Sequence, residues 1–219
     1  MKASGTDRRA PPVSKLGVGM LISGRGSNME ALAEACAADD FPAEIRVVIS
    51  NRPDASGLDK AASLGIPTAV VDHREFPDKT EFERAVIAEL ERRGVELICL
   101  AGFMRVLSAD FVERFPMKIV NIHPSLLPSF PGLHVQQQAI DHGVRYSGCT
   151  VHFVVPEVDA GPIITQAVVP IEQDDTAEAL AARILEQEHQ VYPEAVRLFA
   201  EGRLRIEGRR VRIVDGEGG

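Results

Sequence analysis

The first half of the chain alternates short apolar runs with segments whose apolar residues recur at helical spacing. Runs of this kind predict strands, and the segments between them predict amphipathic helices. We predict strands at 16–22, 45–49, 68–71, 95–101 and 118–122. Continuous runs of Val, Ile and Leu are typical of strands buried on both faces, and helical crossovers between them imply a mainly parallel sheet. The pattern therefore predicts an open, doubly wound α/β fold with flanking helices.

The pattern changes beyond residue 145. The runs at 149–155 and 163–169 predict two strands joined by the turn-rich segment PEVDAGP, and a long helix is expected over 176–199. The last two apolar runs flank Gly208 and predict a hairpin. We divide the chain into a flexible N-terminal arm (1–15), a single folded domain (16–207) and a C-terminal strand and tail (208–219).

Two helix starts carry capping signals. Thr80-x-x-Glu83 predicts a capping box at the start of a helix that ends at Gly94. Ser108 is the predicted cap of a short helix that precedes the fifth strand.

Charge and cysteine content exclude several classes of protein. The chain of 219 residues has 24 Lys and Arg against 32 Asp and Glu, a net charge of −8. That balance disfavours a protein whose affinity comes from neutralising a nucleic-acid backbone. Its three cysteines are widely separated, which argues against a disulfide scaffold, and no apolar run approaches the roughly 20 residues that span a bilayer. We expect a cytoplasmic protein that meets anionic ligands at a local site.

The segment after the first predicted strand has the composition of a phosphate-binding turn. Residues 23–28 read SGRGSN and come directly before a predicted helix. Two glycines and a short hydroxyl residue let backbone N–H groups converge at the positive end of that helix. Met29 occupies the third glycine position of the dinucleotide fingerprint, so a single phosphate is favoured over a dinucleotide. The alternative is a tight turn with a Ser or Asn helix cap.

Polar residues also follow the fifth predicted strand. Asn121 and His123 project to the same side of an extended chain, at the strand end where open parallel sheets bind ligands. This placement makes both residues catalytic candidates. Asp159 lies in the turn PEVDAGP, and it needs outside support because a single Asp is usually a turn former. The segment at 102–107 offers an apolar shelf beside one arginine, although Phe and Met near a strand end are more often core residues.

Five motifs, in this order, carry a family resemblance: SGRGSN, AGFMRVLS, NIHPSLLPSFPG, HFVVPEVDAGP and EQEHQVYP. The chain resembles the phosphoribosylglycinamide formyltransferases, a branch of the formyltetrahydrofolate-dependent formyltransferase family, from about residue 16 to about residue 204. The resemblance implies a Rossmann-like formyltransferase fold. It also implies transfer of a formyl group from 10-formyltetrahydrofolate to the amine of glycinamide ribonucleotide, a step of de novo purine biosynthesis, with no metal.

The resemblance further implies the roles of individual residues. Asn121, His123 and Asp159 match the family's catalytic trio. The substrate-binding residues are Gly26, Ser27 and Asn28 around the phosphate, and Glu188 as a further contact to the ribonucleotide. The folate-binding residues are Lys79, Met104, Arg105, Val106, Leu107, Asn121, Val155, Pro156, Glu157 and Val158. Arg74 competes with Lys79 for the basic folate contact.

The chemistry of formyl transfer suits these side chains. Attack by an amine on the formyl carbon builds a tetrahedral intermediate with negative charge on oxygen, which donors from Asn121 and His123 would stabilise. A carboxylate at Asp159 would favour the protonated imidazole and orient its ring. No Cys or Ser nucleophile with an adjacent base is evident, and a covalent enzyme intermediate is not required.

Three other functions are weighed against this one. A methionyl-tRNA formyltransferase is expected to carry a further C-terminal domain and a basic face, and a formyltetrahydrofolate hydrolase an extra N-terminal domain. A nucleotide-sensing module on the same fold would not need the trio. We therefore expect two small-molecule partners, glycinamide ribonucleotide and 10-formyltetrahydrofolate, without nucleic acid or membrane, and the sequence leaves a homodimer open.

Overall fold

The computed structural model describes residues 14–215, and within them nine strands form one sheet with helices on both faces. The strands are Leu16–Ile22 (β1), Ala43–Ser50 (β2), Thr68–Val70 (β3), Leu97–Leu100 (β4), Ile119–His123 (β5), Tyr146–Phe153 (β6), Ile163–Pro170 (β7), Leu204–Glu207 (β8) and Arg210–Ile213 (β9). The helices are Ser27–Cys36 (α1), Ser56–Ser63 (α2), Lys79–Arg92 (α3), Ala109–Arg114 (α4), Val135–Asp141 (α5) and Ala177–Ala200 (α6), with a short 3₁₀ turn at His73–Glu75.

The strand order is β3-β2-β1-β4-β5-β6-β7-β9-β8. Strands β1 to β5 run parallel to one another, whereas β6 runs antiparallel to both β5 and β7. The predicted doubly wound, mainly parallel fold is therefore confirmed. The order reverses direction between β1 and β4, and in open sheets of this kind ligands bind in the crevice at that point. The segments that follow β1 and β4 are the predicted phosphate-binding turn and the predicted apolar shelf.

Alternating side chains divide the core into two layers, one on each face of the sheet. Met20 and Ile22 of β1 pack with α1 and α6 on one face, and Leu21 packs with α3 and α4 on the other. Because both faces are covered, the central strand β4 is buried at all four positions. The loops at the carboxyl edge of the sheet are therefore anchored to a tightly packed core.

The predicted capping box of Thr80 and Glu83 is wrong. Helix α3 begins two residues earlier than that motif requires, because the Asp78 carboxylate accepts a hydrogen bond from the Glu81 N–H at 2.9 Å and caps the helix. Glu83 is buried and accepts hydrogen bonds from the backbone N–H and the hydroxyl of Ser108. The predicted cap of α4 is confirmed, since the Ser108 hydroxyl also accepts from the Phe111 N–H.

The two ends of the chain are described only in part. Of the predicted arm 1–15, residues 1–13 lie outside the described residues, and Lys15 donates a hydrogen bond to the carbonyl of Ala38. The C-terminal strand β9 pairs with β8 in a hairpin and with β7 through Ile163 and Arg210, so it continues the same sheet. Residues 216–219 of the predicted tail are also outside the described range. Among residues 14–215, none of the helices combines the length and the apolar composition of a membrane span.

Candidate active site

The turn after β1 borders a cavity at the point where the strand order reverses. Residues 23–28, together with Ala101, Gly102 and Met104, line a cavity of about 290 Å³. Gly26 has φ 69°, and a Cβ there would lie 2.9 Å from the Cα of Gly57. Both the backbone conformation and this close approach therefore require glycine at position 26. The predicted phosphate residues Gly26, Ser27 and Asn28 therefore lie beside one residue of the predicted folate shelf.

A buried polar pair joins this turn to α6. The Asn28 Nδ2 donates to the Glu188 Oε2 at 2.7 Å, and both side chains are almost fully buried. Burial raises the pKa of Glu188 above its ordinary value, and the hydrogen bond from Asn28 opposes that shift. The Asn28 Oδ1 is buried and has no hydrogen-bond partner within residues 14–215. The pair thus ties the start of α1 to α6 through two buried polar side chains.

Two of the three catalytic candidates, His123 and Asp159, meet at the carboxyl end of β5, the strand that also carries Asn121. The Nδ1 of His123 lies 3.5 Å from the Oδ2 of Asp159, with both side chains at least nine-tenths buried. Asp159 reaches the strand end from the turn between β6 and β7, with φ 53°, and its Oδ2 also accepts from the Gly132 N–H at 2.8 Å. Residues 36 positions apart in the sequence are therefore held within reach of one another.

His152 is a fourth member of this cluster that sequence reasoning missed. It faces Asn121 across the antiparallel β5–β6 pair, and its Nε2 lies 3.3 Å from the Asn121 Nδ2 and 3.7 Å from the Asp159 Oδ1. Its Nδ1 lies 2.9 Å from the Phe153 carbonyl and must carry the proton, so Nε2 accepts from the amide of Asn121. Burial lowers the pKa of His152 below its ordinary value, which keeps the ring neutral and preserves this arrangement.

The predicted folate shelf is an exposed apolar segment. Met104 and Val106 are 70% and 61% exposed, while Leu107 is buried. The Met104 N–H donates to the Ser23 hydroxyl at 2.8 Å, which ties the shelf to the turn after β1. The Arg105 guanidinium lies 5.2 Å from the ring centre of Phe82 on α3, a cation–π distance. Exposed apolar side chains beside a cavity are the surface that a flat heterocycle would cover.

The two basic candidates for the folate contact differ in their surroundings. Arg74 donates through its Nε and Nη2 to the Asp72 carboxylate, and this partner holds the pKa of Asp72 down at about 2. The Lys79 Nζ lies 3.8 Å from a carboxylate oxygen of Glu83, which itself binds Ser108 at the end of the shelf. Lys79 is therefore linked to the shelf through Glu83, whereas Arg74 is paired with Asp72 in its own loop.

The remaining folate candidates connect β6 to the turn of Asp159. Val155 is half-buried, and Pro156, Glu157 and Val158 are exposed, with 55% of Val158 accessible to solvent.

Within residues 14–215 no group of three or more His, Cys, Asp or Glu side chains is arranged to hold a metal ion.

The chain is similar to known proteins over most of its length. Residues 17–196 match the formyl transferase family. The chain is 50% identical over 193 residues to the trifunctional purine biosynthetic protein adenosine-3 of Gallus gallus, covering 88% of this chain and only 19% of that protein. It is 46% identical over 190 residues to the phosphoribosylglycinamide formyltransferase of Haemophilus influenzae, covering 87% of this chain and 90% of that one.

A solved structure is similar over nearly the whole chain. Glycinamide ribonucleotide transformylase 1 from Symbiobacterium toebii superposes with a TM-score of 0.90 at 52% identity, over 92% of this chain and 95% of that one. The family match spans most of the chain, and a relative of similar length shares nearly half of its residues. This chain therefore belongs to the formyl transferase family, in the branch of the phosphoribosylglycinamide formyltransferases.

Proposed function

We propose that this protein transfers the formyl group of 10-formyltetrahydrofolate to the amine of glycinamide ribonucleotide. The products are formylglycinamide ribonucleotide and tetrahydrofolate, and the step belongs to de novo purine biosynthesis. The observation that carries the proposal is the cluster of Asn121, His123 and Asp159 at the carboxyl edge of the sheet, with 3.5 Å between imidazole and carboxylate. The names of the relatives in the same branch support the choice of substrates.

The cluster supplies what the tetrahedral intermediate needs. The neutral amine attacks the formyl carbon, and negative charge develops on the formyl oxygen. One hydrogen of the Asn121 amide points to His152, and the second remains as a donor for that oxygen. A protonated His123 donates from Nδ1, and the Asp159 carboxylate stabilises the imidazolium. The intermediate then collapses as the bond between the formyl carbon and N10 of the folate breaks, and the proton of the amine passes to this leaving nitrogen through groups held in the same cluster.

The two ligands would occupy opposite sides of this cluster. Backbone N–H groups of Gly26, Ser27 and Asn28 at the start of α1 suit the phosphate, and Glu188 suits the ribonucleotide beside it. The apolar residues 104–107 and 155–158 suit the folate ring, with Lys79 as the basic contact. The reacting amine and the formyl carbon would then meet between the two, over His123.

The wider setting follows from the same chemistry. We propose that both partners are small molecules and that the reaction takes place in the cytoplasm. A net charge of −8 opposes a nucleic-acid partner, and the three cysteines are free thiols, as in a reducing compartment.

The proposed function is tested by mixing a 10-formyl folate analogue with glycinamide ribonucleotide and following the absorbance of the deformylated folate. We expect turnover only when both ligands are present. Turnover without the ribonucleotide would identify a hydrolase instead, and binding of the ribonucleotide without any turnover would identify a sensor. Either result would overturn the proposal.

A further inference from the structure

Ser125 makes contacts that none of the steps above uses. It lies two residues after His123 and is fully buried. Its hydroxyl oxygen lies 2.7 Å from the carbonyl oxygen of Ser129 and 3.0 Å from that of Phe130. A serine hydroxyl has one proton to donate, so the two carbonyls share it. Both carbonyls belong to the proline-rich loop that follows the catalytic strand.

The Phe130 carbonyl also contacts the catalytic histidine. The His123 Nε2 lies 2.9 Å from that carbonyl oxygen, which has two lone pairs and can accept from both side chains. Because a carbonyl cannot donate, this contact requires a proton on Nε2. In the neutral ring Nδ1 is then bare, and it is the nitrogen that lies 3.5 Å from Asp159. Since the Nε2 contact is at hydrogen-bond distance and Nδ1 lies farther from its own acceptor, the Phe130 carbonyl favours the Nε2–H tautomer of the neutral ring.

The conformation of Phe130 needs support from its surroundings. Its φ is 54°, in the left-handed region that is strained for a residue with a side chain. Such a conformation persists only where neighbouring groups hold it. The hydroxyl of Ser125 contacts the carbonyls on both sides of the Phe130 Cα, and so it opposes rotation of the backbone at that residue.

The backbone of Ser125 is anchored independently of its hydroxyl. The Thr150 hydroxyl on β6 donates to the Ser125 carbonyl at 2.7 Å and accepts from the Leu127 N–H at 3.1 Å. The Gln166 amide on β7 donates to the Leu127 carbonyl at 3.0 Å. Removing the Ser125 hydroxyl leaves these three bonds in place. A variant at this position is therefore expected to fold with the start of the loop on the sheet.

We propose that Ser125 is a positioning residue for the formyl transfer. Its hydroxyl holds the Phe130 carbonyl against the Nε2–H of His123, and this keeps Nδ1 free to take up a proton and face the formyl oxygen. The inference rests on the proposed function, since it assigns a role within the same site. An ordinary buried polar group would affect stability alone, whereas this role of the Ser125 hydroxyl would also affect turnover.

Steady-state kinetics of three variants test the proposal. In Ser125→Ala we expect kcat to fall on the order of 10-fold while KM for both ligands stays within about twofold, as for an interaction that acts mainly in the transition state. The matched control is Ser147→Ala, because the Ser147 hydroxyl is equally buried but has no hydrogen-bond partner in the described chain, and its kcat should not change. Ser125→Thr keeps the hydroxyl and should keep most of kcat.

The tautomer can be measured without any turnover. Two-bond ¹H–¹⁵N correlation spectra of histidine-labelled protein are expected to show the Nε2–H form of His123 in the wild type and a mixture of tautomers in Ser125→Ala. An Nδ1–H form in the wild type would overturn the proposal even if the alanine variant failed to fold. Wild-type kcat in Ser125→Ala, or an equal loss in the alanine and threonine variants, would overturn it too. An inactive wild type would reject the proposed function, whereas the spectra still report on Ser125.

Discussion

At the residue scale, the contact between His123 and Asp159 makes the sharpest prediction. Asp159→Asn keeps the size of the side chain, and its amide oxygen can still accept from the Gly132 N–H, so the turn keeps its place. The carboxylate that stabilises the imidazolium is lost. We expect kcat to fall by about 10²-fold, with much smaller changes in KM, as when a donor to a developing oxyanion is removed.

Kinetics of the double variant, which combines His123→Ala with Asp159→Asn, show whether the two residues act together or independently. His123→Ala should lower kcat at least as much as Asp159→Asn, and combining the two should add little, because Asp159 acts through the ring. The matched control is Asp141→Asn, an exposed carboxylate at the end of α5 that bonds only Gln137 within the described chain. Unchanged turnover in Asp159→Asn would contradict the assignment.

The buried ring of His152 predicts a pH dependence of stability. Burial lowers its pKa in the folded state, so below about pH 6.5 the unfolded chain binds a proton that the folded chain resists. More protons on the unfolded state mean that the free energy of unfolding rises with pH, and it falls as pH drops below that value. His152→Gln removes this contribution while leaving an acceptor for the amide of Asn121.

Urea denaturation at several pH values measures the effect. Between about pH 5 and pH 7 the free energy of unfolding should change less steeply in His152→Gln than in the wild type, and the offset between the two proteins should be constant above that range. Parallel curves over the whole range would show that the folded chain does not resist protonation of His152.

Sequence patterns locate Asn121 and His123 but not their neighbours. Alternation along one strand puts the two side chains on the same side, which needs no knowledge of other strands. His152 reaches Asn121 only through the register of β5 against β6, and Ser125 reaches His123 only through a loop that folds back over the strand. Register and loop closure depend on tertiary packing, so no local pattern predicted either contact.

At the element scale, two residues near the start of α3 could cap the helix, Asp78 and Thr80. Asp78→Ala removes the carboxylate that accepts from the Glu81 N–H, and we expect it to cost about 1 kcal/mol of stability. Thr80 lies inside the helix and is exposed, so Thr80→Ala should change stability by less than about 0.5 kcal/mol. Thermal denaturation of the two variants side by side measures the difference. A larger loss of stability in Thr80→Ala than in Asp78→Ala would instead identify Thr80 as the helix cap.

The elements themselves were largely predictable, for a physical reason. Strands buried on both faces must be continuously apolar, and β4 is a run of this kind whose four residues are all buried. Helix α5 escaped prediction because its first turn follows His134 in a left-handed conformation and only Val135 and Ala139 are buried. Two buried positions in seven residues are too few to produce a helical period.

At the scale of the whole molecule, the site joins two differently built parts of one sheet. The parallel part supplies the turn after β1 and the shelf after β4, and the antiparallel part supplies His152 and the turn of Asp159. Helix α6 crosses beneath both and brings Glu188 to Asn28, 160 positions away in the sequence. The C-terminal hairpin extends the same sheet, and Arg209 donates to the Ala160 carbonyl beside Asp159. One continuous sheet therefore sets the distance between the two ligand regions.

Because the two proposed ligand regions lie on different elements, single substitutions should affect the two binding affinities separately. Asn28→Ala keeps the backbone N–H groups of the turn but removes the hydrogen bond that orients the Glu188 carboxylate, and we expect KM for the ribonucleotide to rise about 10-fold or more with folate affinity within about twofold. Val106→Ala removes exposed apolar surface from the shelf, and it should weaken folate binding while sparing the ribonucleotide. Titrating each ligand separately against both variants measures the two effects. An equal loss of both ligands in Asn28→Ala would mean that the turn and the shelf respond as one unit, joined through the bond from Met104 to Ser23.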